Sequence, residues 1–299
     1  MHAGILALAL AIDLVFGEPP ARLHPVVWMG AAIGWLRDRA PQDDARARFG
    51  WGLMMALVLP AGCAALGALA MALPGVGVAL GVLLTTSALA VRSLGEGGAR
   101  VGDPLQAGDL EGARQGLSWL CSRDPDGLSA EELAGAAVES LAENASDAAI
   151  APVFWFVLLG VPGALAYRCV NTMDAMIGYR GRYEWLGKAA ARLDDVLNLV
   201  PARLTAVLLV LAAPERRWAG ARVAWRDAGG TASPNAGWPM SAMAGLLGVQ
   251  LTKRGHYALG DPGEPLRAAH IAQAWAVAWR AMVGGALAAV GGLALAQWP

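Results

Sequence analysis

Charged residues are missing from long stretches of this chain and crowded into the segments between them. Trp51 to Pro74 and Gly75 to Val91 together run 41 residues without a charge, divided by Pro74-Gly75, a dipeptide suited to a tight turn between helices. Ala148 to Tyr167 and Ala281 to Trp298 are equally uncharged, and each approaches the ~20 residues an α-helix needs to cross hydrocarbon. Ile5 to Phe16 and Val196 to Ala213 are weaker, because they carry Asp13 and Arg203. The pattern predicts about four to six spans in an all-α, polytopic integral membrane helical bundle. With no convincing repeat and no low-complexity linker, a single membrane-embedded catalytic domain over residues 1–299 is the economical expectation.

A soluble bundle with buried helices is the competing reading, yet a core helix seldom runs a full span without one polar residue on its outer face. The first apolar run lacks a basic leader and contains Asp13, so it reads as a retained helix rather than a signal peptide. Composition agrees with a membrane chain: 56% of residues are hydrophobic and 16% charged, against about 25% charged in soluble domains. A net charge of −1 argues against a nucleic-acid partner. Cys63, Cys121 and Cys169 are isolated, which suggests neither a zinc site nor a disulfide framework.

Almost all charge lies in four connecting stretches: Gly17 to Gly50, Arg92 to Asp147, Arg168 to Asp195 and Pro214 to Arg280. Connections longer than about 15 residues are usually functional or disordered, so helices and chemistry are expected there. Their Arg and Lys counts are five, four, five and eight, while the Pro74-Gly75 turn has none, which by the positive-inside rule puts all four stretches in the cytoplasm. Simple alternation of spans cannot satisfy that. Either Ala148 to Tyr167 is a re-entrant pair broken at Gly160-Val-Pro-Gly163, or Val196 to Ala213 lies buried in protein with Arg203 facing a polar cavity.

Ser129 to Asp147 is the most acidic helical stretch. Ser129 and Glu132 fit a capping box, and Ala, Leu and Glu dominate the positions after it. At ~100° per residue, Glu132, Glu139, Ser140, Glu143, Asn144 and Asp147 share an arc of about 140°. A solvated stripe on a surface helix is one reading. The other is a hard-cation site, since no Lys or Arg is interleaved and oxygen ligands one turn apart can hold Mg²⁺ beside a substrate phosphate.

Further along, Asn171 and Asp174 are one helical turn apart, as are Lys188, Arg192 and Asp195. Ordinary ion pairing competes there with a second acidic arm whose Arg and Lys neutralise phosphate oxygens. Ser233-Pro-Asn235-Ala-Gly237-Trp-Pro239 is a small polar loop entering a helix expected to start at Pro239, a layout suited to an anion, although a plain turn and cap would look the same. His24 reads as structural, having no second His at helical spacing. Asp13 is either an intramembrane functional acid or an interfacial one. No Walker A loop is present: Gly187-Lys188 is followed by Ala189.

Six blocks in order carry a resemblance: DLVFGEPP with LHPVVWMG; SRDP; ESLAEN with SDAAIAP; NTMDAMIGYR; RLDDVLNLVPARLTA; and SPNAGWPMSAMAGLLGVQL with TKRGHY. Together they resemble the adenosylcobinamide-phosphate synthase family of cobalamin biosynthesis, CobD/CbiB, over about residues 10–270. The resemblance implies a multi-pass enzyme of the bacterial inner membrane with its active site facing the cytoplasm. Its reaction would be ATP-dependent amide bond formation between the corrinoid adenosylcobyric acid and (R)-1-aminopropan-2-ol phosphate, or the free alcohol, with Mg²⁺ as cofactor.

On that reading Glu139, Glu143, Asn144 and Asp147 hold Mg²⁺, with Glu139 and Glu143 also counted as catalytic, while Asp174 and Asp195 complete the site or accept the amine proton. Arg180, Lys188 and Arg192 take phosphate oxygens, and Ser233, Asn235 and Lys253 hold the amino-alcohol phosphate or nucleotide. Family analogy adds other cobalamin-pathway enzymes as partners beside the lipid bilayer, and a homo-oligomer is the assembly to test for. Two rivals are a Mg²⁺-dependent intramembrane transferase acting on a lipid diphosphate, which the same acids would serve, and a transporter coupled through Asp13 and Arg203.

Overall fold

The computed structural model describes residues 1–42 and 44–296, so the last two residues of the expected run 281–298 lie outside the described residues. Its helices are α1 (His2–Phe16), α2 (Pro25–Arg37), α3 (Ala45–Ala72), α4 (Gly77–Ala88), α5 (Val91–Gln106), α6 (Leu110–Leu120), α7 (Ala130–Ala145) and α8 (Ala151–Ile177). They continue as α9 (Lys188–Leu197), α10 (Leu199–Ala212), α11 (Arg217–Asp227), α12 (Gly237–Leu247) and α13 (Ala268–Ala296). One antiparallel hairpin, β1 (Leu251–Lys253) with β2 (Tyr257–Leu259), interrupts an otherwise helical chain.

Four helical runs are long and apolar enough to cross a bilayer: Ala45–Ala72, Gly77–Gln106, Ala130–Ile177 and Ala268–Ala296. The bent pair α9 and α10 makes a fifth if counted as one, and α1 is a shorter apolar helix. The third run is 48 residues. At 1.5 Å per residue its contour is about 72 Å, more than twice the ~30 Å hydrocarbon core, and it is broken at Gly160. Only its uncharged part, 148–167, suits hydrocarbon, and α7 with Glu131, Glu132, Glu139 and Glu143 lies outside that part.

The expected breaks are present and have local causes. Gly75, at φ +77°, turns the chain between α3 and α4. Gly160 adopts φ 69° and ψ −156°, and Pro162 comes two residues later without an N–H to donate, so α8 is kinked where the Gly160-Val-Pro-Gly163 break was expected. The helix after the Ser233 loop begins at Gly237 rather than at Pro239. The physical reason is that every N–H of a first turn lacks an intrahelical partner, so proline fits at the third position as well as at the first.

Cα packing divides the chain into two compact units. One comprises Met1–Ala90, Ala151–Asn198 and the chain from Ala288; the other comprises Val91–Ile150 and Leu199–Leu287. In the first, α3 packs on α8, α4 and α9, and α2 packs on α8. Ile33, Met55, Met173, Ile177 and Leu186 fill its core. Away from that core α3 leaves Leu57, Leu66 and Leu69 at 60% exposure or more, apolar surface that water would penalise and lipid would not. His24 caps α2: its Nδ1 accepts the Val26 N–H at 3.2 Å while Nε2 donates to Glu18 at 2.9 Å, the structural role expected of it.

The second unit is built around α7, with α5, α6, α12 and β1 packed on it. Eleven of its sixteen residues are buried, so it is a core helix and not a surface stripe. The capping box forms as read: the Ser129 N–H donates to Glu132 Oε2 at 2.9 Å, and the Glu132 N–H donates to Ser129 Oγ at 3.3 Å.

Close packing in the first unit depends on Gly52, where an added Cβ would collide with the Leu186 carbonyl. Gly52→Ala should lower the thermal midpoint of the detergent-solubilised protein through overpacking of about 1–3 kcal/mol. Gly50→Ala, in the same helix with open space around it, should raise the midpoint slightly, since Ala favours a helix over Gly by about 0.5–1 kcal/mol.

Candidate functional site

Glu139 is the buried acid of α7, its side chain only 8% exposed. Its Oε2 accepts a hydrogen bond from Arg123 NH1 at 3.2 Å, a cation from the segment between α6 and α7. Oε1 is sequestered without a hydrogen bond. The Tyr257 phenol and the Lys253 ammonium act on the same carboxyl from the hairpin, which pairs Lys253 with Tyr257 across its register. Burial pushes the Glu139 carboxyl up to about 7, with Arg123, Tyr257 and Lys253 together opposing part of the rise. The Tyr257 phenol is in turn raised by its own burial and by the adjacent carboxylate, and burial raises the Cys121 thiol.

The cations that α7 lacks in its own sequence therefore reach it from elsewhere in the chain. At its first turn Glu132 pairs with Arg254 Nε at 2.9 Å, and the Ser129 N–H and hydroxyl hold that carboxyl below its ordinary range. One turn beyond Glu139 the face opens. Ser140 Oγ donates to the Leu120 carbonyl at 3.1 Å, and Asn144 Nδ2 donates to Ser140 at 2.9 and 3.0 Å. Glu143 is exposed and Asp147 half-buried, the latter in a π-helical turn, Ser146–Ile150, that shifts it off strict α-helical spacing.

Among the described residues no three His, Cys, Asp or Glu side chains converge into a metal cage. Mg²⁺ ordinarily takes one or two carboxylates and keeps waters and substrate phosphates. The set Glu143, Asn144 and Asp147 has that donor chemistry, with Glu143 exposed and the other two half-buried; Glu139 is buried and has one oxygen on Arg123.

The loop entering α12 is already satisfied internally. The Asn235 and Ala236 N–H groups both donate to Ser233 Oγ, and the Trp238 N–H donates to the Asn235 carbonyl. Asn235 Oδ1 accepts from Arg203 NH1 at 3.4 Å, and the Arg203 guanidinium also lies 4.9 Å from the Trp238 ring centroid. The charge of α10 thus meets acceptors and an aromatic face.

The other expected residues belong to the first unit. Asp195 pairs with Arg192 at 3.4 Å, Lys188 with Glu184 at 3.5 Å, and Arg180 is exposed in the turn before α9. Asp174, half-buried in the last turn of α8, accepts the Gly178 N–H on its main-chain oxygen at 2.7 Å. Beside them runs a chain that sequence spacing did not single out: Tyr167 OH donates to Asn198 Oδ1 at 3.0 Å, and Asn198 Nδ2 donates to Asp194 Oδ2 at 2.9 Å. Arg123 and Tyr257 were likewise missed as partners of Glu139, although both stand inside sequence blocks that carry the family resemblance, SRDP and TKRGHY.

A family model described as CobD/Cbib protein matches residues 6–278. The cobalamin biosynthesis protein CobD of Dehalococcoides mccartyi is 43% identical over 270 residues, covering 88% of each chain. The cobalamin biosynthesis protein CobD of Rhodobacter capsulatus is also 43% identical, over 99% of this chain and 98% of its own. A probable cobalamin biosynthesis protein CobD of Methanothermobacter thermautotrophicus is 42% identical over 89% of each. No solved structure matches significantly. A match across nearly the whole chain, with relatives of similar length, places it plainly: this chain belongs to the CobD/Cbib family.

Proposed function

We propose that this chain is a multi-pass membrane enzyme of cobalamin biosynthesis that joins adenosylcobyric acid to (R)-1-aminopropan-2-ol phosphate, or to the free alcohol, at the expense of ATP. The observation that carries the reading is the family match over residues 6–278 together with relatives named for cobalamin biosynthesis. The excess of Arg and Lys in the four connecting stretches supports a cytoplasmic site in the bacterial inner membrane.

A carboxylate is a poor electrophile. Its oxygen attacks the γ-phosphorus of ATP, ADP leaves, and the acyl phosphate then offers the amine a workable leaving group. The amine nitrogen attacks the carbonyl carbon, loses one proton, and phosphate departs as the amide forms. Glu139 suits the acceptance of that proton, because a carboxyl held near neutrality matches the operating pH of a general base. Arg123 holds the carboxyl in one orientation by occupying Oε2. Glu143, Asn144 and Asp147 would hold Mg²⁺, which supplies charge neutralisation at the transferring phosphoryl group. Lys253 supplies a cation for phosphate oxygens beside Glu139.

Purified protein reconstituted with both substrates, ATP and Mg²⁺ should yield adenosylcobinamide phosphate and ADP in equal amounts, read by mass spectrometry and nucleotide assay. ATP consumption without amide product, or product formed without ATP, sinks the reading. Glu139→Gln keeps the shape but cannot take a proton, and should lower kcat by about 10²–10⁴ with KM for the amine little changed. Glu143→Gln combined with Asp147→Asn should raise the Mg²⁺ concentration needed for half-maximal rate. A wild-type Mg²⁺ titration of that double variant would remove the metal assignment.

A further inference from the structure

The helix α2 has an unpartnered face that the proposed chemistry does not use. Ile33 is fully buried, and Met29 and Leu36 pack against the same core. On the opposite side Val27, Trp28 and Trp35 are 46%, 56% and 57% exposed, with Ala31 and Ala32 between them on the same side. These five positions share an arc of about 140°. A continuous apolar stripe with two tryptophans seven residues apart is an unstable surface in water. Thirteen residues give about 20 Å, too short for a ~30 Å core, so α2 cannot relieve the exposure by spanning.

Cations gather where this face ends. Arg39 stacks on Trp35, its Cζ 3.9 Å from the ring centroid, and donates to the Trp35 carbonyl at 3.0 Å. Arg48 NH2 donates to the Arg182 carbonyl at 3.0 Å, which joins the start of α3 to the turn before α9. Arg37 pairs with Asp38 at 2.8 Å, and Arg39 and Arg182 act on the same carboxylate. Over residues 37–48 and 180–188, seven Arg and Lys stand against four Asp and Glu, a net positive charge. The lipid-suited α3 begins at Ala45, shortly after α2 ends at Arg37, so the patch adjoins the end of a span.

We propose that α2 is an interfacial helix whose Trp28 and Trp35 face lies at the headgroup and acyl boundary, with the arginines at its C-terminal end binding the phosphate of an anionic phospholipid. Tryptophan at that depth keeps its ring in the apolar region and its N–H toward polar groups; here Trp28 Nε1 donates to the Arg22 carbonyl at 3.2 Å. Guanidinium groups at the rim match phosphate geometry and gain from the negative surface potential. The start of the lipid-suited α3 so soon after the end of α2 selects a bilayer over a soluble phosphate compound. A second copy of the chain is disfavoured as the occupant, because a two-fold contact would set this net positive patch against itself.

The test uses the full chain in nanodiscs of phosphatidylcholine doped with phosphatidylglycerol, and neither of its readouts needs turnover. Ala32→Cys carries a bimane label, with the unmutated chain giving the background from Cys63, Cys121 and Cys169. Brominated acyl chains should quench the label and aqueous iodide should not. In a second measurement, association of spin-labelled phosphatidylglycerol should exceed that of phosphatidylcholine. Arg39→Gln and Arg46→Gln should each reduce that preference by about fivefold, while the Lys replacements retain it. Strong quenching by iodide, shielding from both quenchers as a protein partner would give, or an unchanged lipid preference in the Gln variants would each overturn the proposal.

Discussion

A carboxyl taken out of water inside the second unit is the constraint on which the candidate site depends. Removing an ionised glutamate from solvent costs several kcal/mol unless a partner and hydrogen bonds compensate, and Glu139 receives only part of that compensation. Arg123 satisfies one oxygen, the Tyr257 hydroxyl hydrogen-bonds the carboxyl and Lys253 contributes field, yet burial outweighs all three. Burial that its partners only partly offset is what holds the group near neutrality. A second full ion pair on Oε1 would stabilise the charged form and make the carboxyl a poor proton acceptor at neutral pH.

The surrounding fold reflects the need to deliver those partners. The segment between α6 and α7 must end in a fixed cap for Arg123 to stand beside Glu139, and the Ser129 box supplies it. The hairpin must be anchored for Lys253 and Tyr257 to arrive together. Leu251 and Leu259, both fully buried and paired in register, provide the anchor, and Gly255 at φ +73° allows the short turn. Arg254 at that turn then reaches Glu132, so one three-residue strand and its turn serve two positions on α7.

Much of this was legible in the chain because it is local. Apolar run length, the Ser129 and Glu132 spacing, the Pro74-Gly75 turn and the Gly160 break each depend on residues within a few positions of one another. The helices within the charged stretches, α2, α6, α7, α9 and α11 among them, were expected as a class. The partners of Glu139 were not, because helical spacing tests only neighbours three or four residues away. An acidic face with no interleaved Lys or Arg looked uncompensated, and the compensation comes from Arg123, Lys253 and Arg254. For the same reason Lys188, Arg192 and Asp195 stood out by their spacing while the Tyr167, Asn198 and Asp194 chain did not, since its link from Tyr167 to Asn198 joins α8 to the residue between α9 and α10.

The Ser233 loop shows the limit of reading chemistry from residue type. Small polar residues ahead of a helix suit a bound anion, and they equally suit a self-contained cap. Here Ser233 Oγ takes two N–H groups itself, and Asn235 turns its side-chain oxygen to Arg203. A donor already paired within the loop must break that bond before it can bind a ligand, so its contribution to affinity is only the difference between two similar interactions. On the Glu143, Asn144 and Asp147 face, Glu143 is exposed and the amide of Asn144 is held by Ser140. An incoming Mg²⁺ and phosphate would meet a solvent-facing carboxylate there beside an amide already held in place. Depth therefore separates the two proposed roles, with proton transfer proposed for the enclosed Glu139 and cation binding for the less buried Glu143 and Asp147.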